Sequence, residues 1–295
     1  MRGRRLITAL LLLAGTALHA QVPVEKSSFS PTGITTEFFG PYAYPVPDLD
    51  EARTSGKLRV QIAGDAIPGH LGGRDSKDFT ESVNYRFTIP LWTDRVNLVC
   101  WGEGHEWWQD TEKTRELRRY DSKYELRNNG VGQIWLGLDM LVLREKKYRP
   151  SVVLSANLLS AAGDNYHMAR HFDAPGYHFT CSAGKDITFR DSSALRISAT
   201  AGFVCWQTDR GAQNDAPLYG VKVSYSRKVF ALSAEFAGYT GWEKYHDAPQ
   251  VVKTRLDFHA GRLSPFVYYA HGLRDWPFDQ FRAGLSIDFD ILKFR

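Results

Sequence analysis

Beyond its first twenty residues the chain has no apolar run long enough to cross a bilayer as a helix, and this excludes a helical membrane protein. Cysteine is scarce. The three thiols, Cys100, Cys181 and Cys205, are an odd number, so at least one stays unpaired. Each falls on the apolar side of an alternating stretch, where it reads as a small lipid-facing hydrophobe. Cys-x-x-Cys, Gly-x-Ser-x-Gly and a phosphate-cradling glycine loop are all missing, and with them the commonest redox, acyl-transfer and nucleotide signatures. An excess of one charge is missing too. The formal charge is +4, and removal of Arg2, Arg4 and Arg5 with a signal would lower it by three, to +1. The basic residues are dispersed, so nucleic acid is not an expected partner.

What is present is aromatic and exported. Aromatic residues make up 13% of the chain and include eight Trp, a content suited to interfacial girdles. Arg2, Arg4 and Arg5 precede an apolar run over 6–18, and Ala20 precedes Gln21. This layout predicts a secretory signal peptide over 1–20. Residues 21–56 form a leader rich in proline (Pro23, Pro31, Pro41, Pro45, Pro47) with neither helical nor strand periodicity. It is expected in the periplasm, and whether it caps or plugs the strands downstream stays open.

From residue 57 the text alternates. In the last stretch Phe281, Ala283, Leu285, Ile287, Phe289 and Ile291 interleave with Arg282, Gly284, Ser286, Asp288 and Asp290. Period two puts the apolar set on one face and the polar set on the other. With Phe294 near the end, this reads as the closing strand of an outer-membrane barrel. Strands are predicted near 57–66, 80–91, 95–103, 133–144, 149–160, 176–184, 194–206, 218–226, 229–239, 251–260, 263–271 and 280–292. Short connections alternate with long polar ones, and only 185–193 is longer than its class should be. The expected fold is all-β: a transmembrane, antiparallel, up-and-down barrel of about twelve strands over 57–295, with turns periplasmic and loops extracellular. A soluble sandwich would also alternate. It would leave the signal, the loop lengths and the closing strand unexplained together.

The segments Glu37-Phe-Phe-Gly-Pro-Tyr-Ala-Tyr-Pro-Val-Pro-Asp48, Lys57-Leu-Arg-Val-Gln-Ile-Ala-Gly64 and Ile89-Pro-Leu-Trp-Thr-Asp-Arg-Val-Asn-Leu98 resemble uncharacterised outer-membrane proteins of the Bacteroidetes type. The resemblance covers the first hundred residues. It implies an outer-membrane location and a barrel fold, and brings no activity or catalytic residue with it.

The polar face should line the lumen. Arg59, Arg86, Arg95, Asp139, Arg196, Lys222, Glu235, Lys253, Arg255, Asp257, Arg282, Asp288 and Asp290 are its predicted charged residues, with His178 and His259 beside them. Charges in a narrow bore must pair or stay hydrated. If water fills the bore, the basic excess favours small polar or anionic solutes. If the charges pair across it, or the leader enters, the barrel is closed and works through its loops or leader. The expected partners are outer-membrane lipid and, for an open bore, such solutes; no protein partner is identified.

No catalytic residue, metal ligand or cofactor is predicted. His178 and Thr180 share a strand face, as the base and nucleophile of an outer-membrane lipid hydrolase would, but no orienting Asn follows in that strand. His167 and His171 have metal-ligand spacing, with Asp173 beyond, yet sit in a predicted solvated loop. Trp107 and Trp108 read as girdle residues at the top of strand three, with Trp101 in support. The charged run from Asp110 to Arg127 reads as a solvated helical lid.

Overall fold

A strand can cross a membrane only if both its edges are paired, so alternating strands must close on themselves. The computed structural model of the chain describes residues 38–71, 73, 77–171, 174–207, 213–242 and 246–291. The predicted signal peptide, leader residues 21–37, Asp173 and Phe294 lie outside the described residues.

The strands are β1 (Leu58–Pro68), β2 (Phe79–Pro90), β3 (Val96–Gln109), β4 (Arg127–Gly130), β5 (Ile134–Leu143), β6 (Ser151–Ser160), β7 (Gly176–Thr188), β8 (Ala194–Gln207), β9 (Gln213–Arg227), β10 (Phe230–Tyr239), β11 (Gln250–Phe258), β12 (Leu263–Arg274) and β13 (Asp279–Phe289). Every pairing is antiparallel. β1 bonds to β13, and β3 bonds to β5 past β4. Twelve strands therefore form a closed ring, and β4 only extends β3 above it. All twelve lie where the alternation put them.

Short connections, 91–95, 144–150, 189–193, 228–229 and 259–262, gather at one end, and the longer ones at the other. The turn that looked too long is short because β7 continues to Thr188. Outside, Ile62, Leu136, Leu158, Val221, Val267 and Phe281 are each at least half exposed, as a lipid-facing wall requires. Inside, opposite charges stitch the seam. Arg59 Nε donates to Asp288 Oδ1 at 2.7 Å and Arg282 Nε to Asp65 Oδ1 at 2.6 Å, each pair in direct register across β1 and β13.

The segment between β3 and β4 carries the expected helix, and most of its charged side chains are exposed. Its helix, Glu112–Arg118, starts at Thr111, whose side chain accepts from Thr114 N. It ends on Arg118, which is fully buried and donates to Asp110 Oδ1 at 2.7 Å.

Candidate functional site

A proline-rich segment has spare carbonyls and too few N–H groups to pair them locally. The inner wall of this barrel has the opposite imbalance, an excess of donors. The two fit. Residues 38–54, expected in the periplasm, run inside the barrel. Lys253 Nζ donates to Val46 O (2.9 Å), Pro47 O (3.0 Å) and Asp48 Oδ1 (2.7 Å). Lys222 Nζ donates to Leu49 O at 3.1 Å, and Leu49 N to Glu235 Oε1 at 3.0 Å. Tyr239 and Trp276 donate to the carbonyls of Tyr44 and Pro41. The apolar side chains close the remaining space. Phe39, Tyr44, Val46 and Leu49 are buried in one cluster with Trp135, Trp206, Leu218, Tyr239 and Val251 from the wall.

Each end of the segment is tied down. At the turn end Arg53 pairs with Asp186, and Thr54 Oγ1 donates to Asp94 O at 2.5 Å. There Arg196 bonds Ala52 O at 3.2 Å and Glu145 Oε2 at 2.9 Å. Glu145 is also bonded by Lys185 Nζ and by the Asp186 amide. Desolvation opposes its ionisation, but these donors overcome it and hold the carboxyl at about 2. At the loop end Arg118 Nε donates to Phe38 O at 2.8 Å and Gly40 N to Ala169 O at 2.8 Å. A side chain at Gly40 would meet the Arg170 carbonyl at 2.5 Å, so only glycine permits this approach. The segment therefore passes from the loop end to the turn end before β1 begins.

Over the loop-end opening sits a buried ionic latch. Arg170 Nη2 donates to Glu106 Oε2 at 2.8 Å and to Thr80 at 2.9 Å, and its guanidinium lies 4.7 Å above the Trp108 ring. His171 Nε2 stands 3.0 Å from Glu106 Oε1. Tyr120 donates to Asp110 Oδ2 at 2.9 Å, and burial together with that carboxylate pushes the phenol well above its usual range. The 161–175 loop is thus packed at Arg170 and His171, against the solvated reading. His171 and His167 do not converge: His167 packs at a tilt against Tyr166 and stacks on Tyr124. No metal-holding group of three His, Cys, Asp or Glu occurs among the described residues.

The predicted lumen residues sort by partner. Arg59 meets Asp288, Arg255 meets Asp257 at 2.7 Å, and Arg282 meets Asp65. Lys222 lies 3.6 Å from Glu235, which also neighbours Lys253, and Arg196 meets Glu145 and Asp186. Arg86, Arg95 and Asp139 are the exceptions: among the described residues none of them forms an ion pair, and Arg95 is exposed at the turn end. The sequence reading missed Asp65, which sits at the loop end of β1 and is fully buried beneath Arg282, Gln280 and Tyr42. It also missed Lys253 as the leader's main anchor, because no local pattern links residues two hundred positions apart.

Other candidates resolve similarly. Asn157, absent from the strand of His178, faces it from β6 in register, with Nδ2 3.3 Å from His178 Nδ1. No hydrogen bond joins Thr180 to His178 among the described residues. Trp101 and Trp108 are not girdle residues: Trp101 stacks on Trp135 inside the bore at 5.4 Å, and Trp108 is buried under Arg170. Trp107 alone of the three is exposed to the outside. All three cysteines are free, and Cys205 is fully covered rather than lipid-exposed.

No protein-family model and no curated protein matches the chain. Solved structures do. An outer membrane channel from Pseudomonas putida F1 superposes with a TM-score of 0.57 at 10% identity, over 82% of this chain and 100% of that one. The transport unit of the autotransporter AIDA-I from Escherichia coli gives 0.51 at 12%, over 83% and 93%. The NanC porin gives 0.51 at 10%, over 78% and 100%. At such identities the likeness is one of fold, and the fold is that of an outer-membrane β-barrel. No family or taxon follows from it.

Proposed function

We propose that this chain is an exported outer-membrane barrel, freed of residues 1–20, whose own leader closes the bore. It becomes a channel for small polar or anionic solutes only when residues 38–54 withdraw. The observation that carries this is the grip of Lys253 on two leader carbonyls and Asp48, deep in the lumen. The basic excess that would give an open bore its anion preference here satisfies leader carbonyls and carboxylates. Charge-assisted bonds of this kind in a dry site are strong and expensive to break. The chain is assigned no reaction.

Planar-bilayer recording tests this. The chain from Gln21 should be silent, and a heat-modifiable, folded barrel starting at Ser55 should conduct with an anion bias from the freed Lys222, Lys253 and Arg196. Steady ohmic steps from the longer chain would overturn the closure. Silence from both would leave a closed barrel acting through its loops, a reading the buried latch over the loop end also favours.

A further inference from the structure

The exceptions among the lumen charges mark a place. Apart from Arg95, which is exposed at the turn end, every predicted lumen cation except Arg86 has an ion-pair carboxylate, and Asp139 has no cation within ion-pair distance among the described residues. Both open onto one partly open cavity of about 110 Å³ between the leader and the wall. The guanidinium of Arg86 is held 4.9 Å from the Trp101 ring, and Trp101 is stacked in turn on Trp135 at 3°. That contact fixes the group and leaves its N–H fork unused. On the same cavity Asp139 is half of a register pair with Ser155, whose hydroxyl donates to Asp50 Oδ2 at 3.0 Å. Asn157 and His178 line the same cavity, joined through Nδ2 and Nδ1, so the imidazole Nε2 remains available.

Elsewhere in this bore opposite charges touch. Here a cation and a carboxylate flank an empty volume without touching, and a buried charge without a partner is costly. An unused guanidinium fork suits a carboxylate in bidentate fashion. A carboxylate with no cation suits an ammonium group. We propose that the cavity between the leader and strands β2, β3, β5, β6 and β7 binds a small zwitterion of the α-amino-acid class, its carboxylate on Arg86 and its ammonium on Asp139. Asn157 and His178 supply the polar floor. The volume limits the guest to a short side chain.

This rests on the leader-closed bore, since Pro45 and Asp50 form part of the cavity's lining. Titration calorimetry on the full refolded chain in detergent, with glycine, alanine, acetate and methylammonium as probes, tests it. Folding is checked by heat-modifiable migration. Glycine and alanine should give saturable heats, and Arg86→Gln and Asp139→Asn should each weaken them about tenfold or more, the effect of losing one charged hydrogen bond. Acetate and methylammonium should each bind at least tenfold more weakly than alanine. No saturable heat from the folded chain, or equal affinity in Arg86→Gln, would mean the charges are only hydrated and would overturn the site. Acetate binding as tightly as alanine, with no loss in Asp139→Asn, would overturn the zwitterion. A chain that conducts in bilayers would fail the closure itself. A silent chain without heats would fail only the site.

Discussion

At the scale of the residue, Lys253 illustrates how a bore charge changes meaning once its partners are known. From sequence it is one polar residue on an alternating strand; in the fold it holds three leader acceptors and lies 3.3 Å from Glu235. Lys253→Met should leave Asp48 and Glu235 uncompensated and weaken leader docking by about 3 kcal/mol. Limited proteolysis of the folded barrel should then cut within 38–54, where the parent resists. Glu145 makes a prediction about pH. Its carboxyl is lowered from the ordinary 4.5 to about 2 in the folded chain. A depressed acid stabilises the fold fully above the unfolded value, and that contribution fades as pH falls towards the folded one. Between about pH 4.5 and 2, the unfolding midpoint should therefore drop more in the parent than in Glu145→Gln. Equal slopes would remove Glu145 from the turn-end anchor.

At the scale of the element, strands were legible and their surroundings less so. Period-two alternation is a local property, and Phe281 to Ile291 declares its two faces without reference to the rest of the chain. Arg127–Gly130 has no apolar partner set, so nothing in Arg-Asn-Asn-Gly announces β4; it forms because β3 projects above the ring and offers an edge. Trp101 and Trp108 misled for a related reason. A bulge between Val83 and Asn84 shifts the register of β2 on β3, so the face carried by Trp101 is resumed by Glu106 and Trp108. The latch is an element-level device, made by β3 and the 161–175 loop together. Arg170→Met should leave Glu106 buried without its cation, loosening that loop by about 3 kcal/mol. The check is protease cleavage between 161 and 175, which should become fast while barrel migration on gels stays unchanged.

At the scale of the whole molecule, a barrel with twelve strands returns both ends of its sheet to the turn side, yet Phe38 stands at the loop side. The leader reverses the sense of the N-terminal chain by passing through the bore. Its place was illegible because extended proline-rich text has no periodicity, and its partners are spread over β6 and β8 to β11, each supplying one donor or carboxylate. With loops extracellular, an epitope inserted directly ahead of Phe38 should be reached by antibody on intact cells; reaction only after permeabilisation would reverse the direction of threading. The central claim is that residues 38–54 occupy the lumen. Its most direct test places a cysteine at Val46, with Cys100, Cys181 and Cys205 replaced by Ser, and follows reaction of the folded barrel with a membrane-impermeant maleimide. Val46 is only 6% exposed, so labelling should be negligible until the barrel is unfolded. Rapid labelling of the folded protein would mean that the leader lies outside and the bore is free.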